Sequence, residues 1–310
     1  MPGFLTHYIA GKAVFQSLPA EIQQPIKNGE RLYNLGTHGP DIFFYYFPGL
    51  FRKRTKGVAV EQHVSNLGLF LVEMAKHAKN AAPSDKDVVF AYTAGFLLHY
   101  VVDVHAHPYV YAKTLKDDQT MWKNVSDHRR LETAIDVAML KMISGQKPSG
   151  VKQWETINAD SQQMSVAAAA YSQALRDVYN RDISPKIVRR AMAYMIRITR
   201  LLQSKKGRRK KMFELVESLT VRQPIASAMI HTTELAEDAD FLIENHEPWV
   251  SPWQEDTFTD SFLDRYKAAV QEGIELVELL YKYVYSELPT EDLSKKVGNR
   301  SLKTGLPCEK

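Results

Sequence analysis

Apolar positions along the chain recur at intervals of three and four for most of its length, which is the period of a helix packed on one side. Residues 58–78 read as one such helix, with Val60, His63, Leu67 and Phe70 along one side. Ser84 is placed to cap the next, and Asp85 and Asp87 suit its first turn. From Val88 to His107 the pattern loses its polar face and is apolar nearly all round, as in a helix buried at the centre of a fold. Pro108 is expected to end or bend it. Ser126 or Asp127 is positioned to cap a helix reaching Met142, after which Gly145, Pro148 and Gly150 break the pattern. Further helices are predicted at 165–179, 185–203, 211–218, 224–237 and 259–287. There is no run of alternating strand positions and no fixed-period repeat, so the predicted class is all-α. Residues 1–287 read as a single helical domain and 288–310 as a polar, flexible C-terminal tail.

Composition bounds this picture without changing it. Hydrophobic residues make up 45% and charged residues 25% of 310, enough for a core that needs no staples. The net charge of +4 accommodates an anionic ligand and is too small to argue for nucleic acid. The one cysteine, Cys308, excludes a disulfide framework and a thiolate metal site, so any metal must be held by imidazole and carboxylate. The first residues lack a charged and then apolar leader, and the most apolar stretch, 88–102, is shorter than a membrane span, so the expected location is cytoplasmic.

Histidine is concentrated near the N-terminus: His7, His38, His63, His77, His99, His105, His107 and His128 are eight of the ten. His99, Asp103 and His107 are four apart and share one helical stripe. A carboxylate in an otherwise apolar helix needs a cation or a donor, and a metal shared with His99 meets that need. Eight residues at about 1.5 Å each separate His99 from His107 by roughly 12 Å, too far for one ion to hold both. The stripe therefore suggests two metals, with Asp103 near the first. His128 and Glu132 form a second pair at i, i+4, to which His107 can add a third ligand. Gly39–Pro40 make a turn that can present Asp41 inward, ahead of the aromatic run Phe43–Phe47. Taken singly, each pattern has an ordinary structural explanation: core histidines, a carboxylate capping a neighbouring helix, a hydrophobic anchor after a turn.

In combination, these motifs resemble the zinc-dependent phospholipase C family, a helical group related in fold to single-strand-specific zinc nucleases. The resemblance runs through about residues 1–285. It is carried, in order, by Pro2-Gly3-Phe4-x-Thr6-His7, Gly39-Pro40-Asp41, His99-Tyr100-x-x-Asp103-x-x-x-His107-Pro108-Tyr109 and His128-x-x-x-Glu132. Glu244–Trp249 and Ser261–Leu263 also match the family's C-terminal part. It implies an all-α fold with a buried central metal-binding helix and a cluster of two or three ions, zinc or another divalent metal. One ion would take Asp41, His63, His99 and Asp103, a second His107, His128 and Glu132. A third would take His7 with Asp103 as a bridge, completed by the amine and carbonyl of the first residue. Secreted members present a tryptophan there, whereas this chain begins Met1–Pro2. His105 departs from the family pattern; spacing favours His107 as ligand, with His105 as neighbour or substitute.

The activity implied is phosphodiester hydrolysis with Asp41 orienting or deprotonating the attacking water. The implied substrate is a phospholipid or other phosphodiester. Phe43–Phe47 and Trp122 are placed to receive a headgroup or acyl chains. The basic run Lys205–Lys211 is placed for a peripheral contact with an anionic membrane surface, although such a run is more often a solvated loop. No specific nucleic-acid partner is expected. The competing readings are a single-strand nuclease with the same metal chemistry and a non-catalytic metal- or lipid-binding member.

Overall fold

The computed structural model describes residues 3–46, 52–204, 207–220, 222–231 and 240–308. Thirteen α-helices account for most of them: α1 Phe4–Ser17, α2 Ala20–Asn28, α3 Glu30–Gly36, α4 Arg52–Val64, α5 Leu67–Asn80, α6 Pro83–Thr114, α7 Met121–Ser144, α8 Gln153–Thr156, α9 Ser161–Tyr179, α10 Pro185–Leu202, α11 Arg208–Leu219, α12 Phe262–Tyr285 and α13 Thr290–Val297. Short 3₁₀ helices at Gly39–Tyr45, Pro148–Gly150 and Ser227–Met229 follow α3, α7 and α11. The only strands among the described residues are the antiparallel pair β1 Trp249–Val250 and β2 Thr257–Phe258. The class is all-α.

The core is organised around α6, whose residues from Val89 to Val110 are buried almost without interruption. That burial on every face is what its unbroken apolar sequence requires. α6 is the one described helix long and apolar enough to cross a bilayer, and 89% of its most apolar window is instead packed inside the protein. It is surrounded by α3, α5, α9 and α12, with α1 lying across α12 and α7. Contact with α3 is at backbone distance. A Cβ on Gly95 would stand 2.0 Å from the Tyr33 carbonyl oxygen, and one on Gly36 would stand 2.4 Å from that of Tyr92. The two glycines thereby bring the chain just before Asp41 down onto the helix that carries His99.

Several boundaries differ from the periodicity reading. Residues 58–78 are two helices, because Asn66 adopts a left-handed conformation (φ 56°) between α4 and α5. α6 begins at Pro83, where proline's fixed φ suits the first helical position, and not after Ser84. It runs through Pro108 to Thr114. α7 is capped by Thr120, whose hydroxyl accepts from the Lys123 N–H, and not by Ser126 or Asp127. The expected helix at 224–237 is only the short 3₁₀ turn, and residues 232–239 lie outside the described ones.

The segment expected to be a flexible tail is packed. Leu293, Val297 and Leu302 are buried, and α13 lies against α5 and α12. Its polar composition concealed this: a few apolar residues at helical spacing are enough to anchor one amphipathic turn.

Candidate metal centre

Each candidate ligand is set by a different local device. His7 sits one turn into α1, Asp41 in the 3₁₀ helix, His63 in the last turn of α4, and His128 and Glu132 on α7. His99, Asp103 and His107 project from one stripe of α6, the i, i+4 spacing placing them in line. The fold gathers these eight residues into three groups, the first two sharing His99: His7, His99 and Asp103; Asp41, His63 and His99; and His107, His128 and Glu132. Within each, the donor atoms lie within 4.8 Å of one another.

The first two groups share His99 and form one composite pocket. His7 Nε2 is 3.1 Å from Asp103 Oδ1, His99 Nε2 is 3.2 Å from Asp103 Oδ2, and His63 Nε2 is 3.4 Å from Asp41 Oδ1. The rings of His7 and His99 stack at 4.6 Å. In the third group His128 Nε2 is 2.8 Å from Glu132 Oε1, and the rings of His107 and His128 are 5.7 Å apart. Asp103 Oδ2 is also 3.9 Å from His107 Nδ1.

Three of the histidines are oriented by backbone carbonyls. Nδ1 of His63 faces the Ala59 carbonyl at 2.7 Å, that of His99 the Thr37 carbonyl at 3.2 Å, and that of His107 the Leu302 carbonyl at 2.5 Å. A carbonyl can only accept, so each Nδ1 carries the proton and each Nε2 offers its lone pair inward. This arrangement orients imidazoles at metal sites.

The donor set fits a metal. Among the described residues, Nε2 of His7, His99 and His107, both oxygens of Asp103 and Oδ1 of Asp41 are buried and make no hydrogen bond. Buried polar atoms that converge without bonding one another are costly unless a cation joins them. Burial pushes the pKa of His7 below its ordinary value, against the pull of Asp103, and drives His107 and His128 well below it. These three rings are therefore neutral and able to ligate. Burial also lowers His99, but Asp103 and Asp41 more than offset it and hold its pKa above the ordinary value. Burial opposes ionisation of Asp103, yet His107, His99 and His7 hold its pKa well below the usual carboxylate range.

The geometry separates His107 from His105. His107 joins His128 and Glu132, whereas His105 turns towards α12, its Nε2 2.7 Å from Glu272, which is also paired with Arg300. His38 stands beside the centre: it stacks on Phe4 at 4.1 Å, and burial, reinforced by His7 and His99, lowers its pKa well below the ordinary value.

A cleft of about 100 Å³ reaches this region, lined by His7, Asp41 and Glu132 and by Phe44, Tyr45 and Arg129. Of the aromatic run, Phe43 and Tyr46 belong to the core and Phe47 lies outside the described residues. Trp122 stands exposed at the start of α7 and does not line the cleft. A larger groove of about 650 Å³, lined by α1, α3 and the chain around α8, contains none of the eight residues.

Sequence reading missed three contributors. Asp136 is fully buried on α7 and accepts from the Leu5 and Thr6 N–H groups at 2.8 Å and from the Thr6 hydroxyl at 2.7 Å. It caps α1 from 130 residues away, where Gly3 provides no side chain, and thereby sets His7. His231 donates from Nε2 to Asp136 at 2.7 Å while its Nδ1 accepts from Gln153. Arg129 donates to the Ile225 carbonyl at 3.0 Å and, among the described residues, takes part in no ion pair. Its position next to His128 was the only local signal.

A family model described as zinc dependent phospholipase C matches residues 6–195. The chain belongs to the zinc dependent phospholipase C family. No curated protein and no solved structure matches it. The match spans well over half of the chain and includes every residue of the metal centre. It ends before α11, the 244–249 and 261–263 motifs, and the C-terminal segment. The first residue, expected to complete a third ion's ligands, lies outside the described residues.

Proposed function

We propose that this phospholipase C family chain hydrolyses a phosphodiester, with a phospholipid as the preferred class of substrate, using two or three zinc ions held by His7, Asp41, His63, His99, Asp103, His107, His128 and Glu132. One observation carries the reading: two separable, largely buried His–carboxylate groups stand at the end of a cleft in a chain that matches this family. Zinc bound there supplies Lewis acidity, bringing the pKa of a water towards 7 and offsetting charge on the phosphoryl oxygens.

The chain's own groups supply the rest. Asp41 lines the cleft with Oδ1 making no hydrogen bond, which suits a group that orients the attacking water and receives its proton. Arg129 offers a guanidinium on the same cleft wall to hold a phosphoryl oxygen. Burial draws its pKa down from the ordinary arginine value, against Tyr45 and Asp41, and a guanidinium stays charged all the same. Phe44 and Tyr45 give the cleft an apolar wall for the organic part of the substrate.

The test is a hydrolysis panel run with and without chelator, comprising phosphatidylcholine, a water-soluble phosphodiester and single-stranded DNA. Chelator-sensitive release of phosphocholine is the expected result. Cleavage of DNA alone would assign the chain to the nuclease reading, and turnover of none of them with metal bound would make it a non-catalytic member.

A further inference from the structure

α11 presents to solvent a stripe that should be inside a protein. Met212, Leu215, Val216 and Leu219 recur at i, i+3, i+4 and i+7, one face of a helix. They are 52%, 65%, 53% and 79% exposed. Contiguous exposed apolar side chains of this kind mark an interaction site. Basic residues open the same helix: Arg208 and Lys211 are exposed and flank the stripe, while Arg209 is tied to the carbonyls of Arg200, Leu201 and Gln203 at the end of α10. Lys205 and Lys206, the start of the basic run, lie outside the described residues.

The far side of α11 is anchored to the wall of the metal cleft. Glu217 is buried, and its carboxylate accepts the backbone N–H groups of Ile225 and Ala226 at 3.0 and 2.5 Å and the Ser227 hydroxyl at 2.5 Å. That turn carries the Ile225 carbonyl that holds Arg129 and leads into Met229, which lines the cleft. Leu202 lines the cleft too, and its neighbour Leu201 is 48% exposed.

We propose that α11 is a membrane-docking helix, which seats its apolar stripe in an anionic lipid surface and brings the cleft to that surface. An apolar face with basic flanks is the chemistry of an interfacial helix, which buries its stripe at the headgroup boundary while Lys and Arg meet anionic lipid. A second copy of the chain fits less well. Four side chains on one short helix fall short of the roughly 800 Å² per partner of a stable interface. The proposal takes its purpose from the phospholipid reading, but its test does not depend on catalysis.

The experiment is co-sedimentation of the full chain with vesicles of phosphatidylcholine containing about one-third phosphatidylglycerol, against pure phosphatidylcholine, at low and high salt. The chain is expected to bind the anionic vesicles, more weakly in salt. Met212→Ser/Leu215→Ser/Leu219→Ser and, separately, Arg208→Glu/Lys211→Glu are each expected to weaken binding about tenfold or more. Hydrolysis of a water-soluble phosphodiester should be unchanged in both. Wild-type failure to bind, or variants that bind like wild type, would overturn the proposal. So would a dimer seen by light scattering that the apolar variant abolishes. A wild-type chain that binds no vesicles yet shows chelator-sensitive hydrolysis refutes the docking helix alone, whereas vesicle binding with no hydrolysis of any phosphodiester refutes the catalytic reading alone.

Discussion

His107 Nδ1 and the carbonyl oxygen of Leu302, 195 residues apart in sequence, lie 2.5 Å from each other. The same C-terminal segment reaches His63, whose carbonyl accepts from the Lys303 N–H at 3.1 Å and the Ser301 hydroxyl at 3.2 Å. One strap thus ties together a histidine from each region of the metal centre. A chain ending after Val297 is expected to bind zinc about 10- to 100-fold more weakly, the usual cost of losing partners that orient ligands. Competition against a chromophoric chelator measures this, and unchanged affinity would show that the strap does not position the ligands.

Gly39 has φ +45°, and a Cβ there would stand 2.3 Å from His99 Cδ2. Gly39→Ala therefore incurs the left-handed penalty of about 1–2 kcal/mol and also displaces the His99 ring. Lower thermal stability together with reduced metal content is expected. A variant with normal metal content would show that the ring has room to move.

Arg129→Ala is expected to lower kcat/KM on a phosphodiester about 10²- to 10³-fold while leaving metal content unchanged. Arg129→Lys should restore only part of the loss, because an ammonium lacks the planar fork that meets two oxygens. If both variants keep wild-type kcat/KM, Arg129 does not touch the phosphoryl group.

Glu272 gives a pH dependence with a definite sign. Burial raises its pKa, but the hydrogen bonds from His105 and Arg300 outweigh this and bring it down to about 2 from 4.5. A depressed carboxylate stabilises the fold above its unfolded pKa, so this contribution is complete above about pH 4.5 and is lost as pH falls towards 2. Denaturant midpoints measured across that window should fall less steeply for Glu272→Gln than for wild type. Parallel curves would show that the Glu272 pair adds nothing to acid stability.

What the sequence made legible was whatever its spacing carries locally. His99, Asp103 and His107 share a stripe because they are four apart, and His128 and Glu132 pair for the same reason. The unbroken apolar run of α6 announced its burial. Asp136 was not legible, since its partners at Leu5 and Thr6 lie about 130 residues away and no periodicity encodes them. Nor was the strap: residues 298–308 are mostly polar, and they reach the site largely through backbone atoms, which every residue has. The division between His105 and His107 needed the fold as well, because only the position of α12 puts Glu272 beside one and not the other.

Whether these eight residues hold metal is decided by elemental analysis of the purified protein. At least two zinc or similar divalent ions per chain are expected, one for the pocket built on His99 and one for His107, His128 and Glu132, with the ion of the His99 pocket lost in Asp103→Asn. Fewer than one tightly bound ion per chain would contradict this.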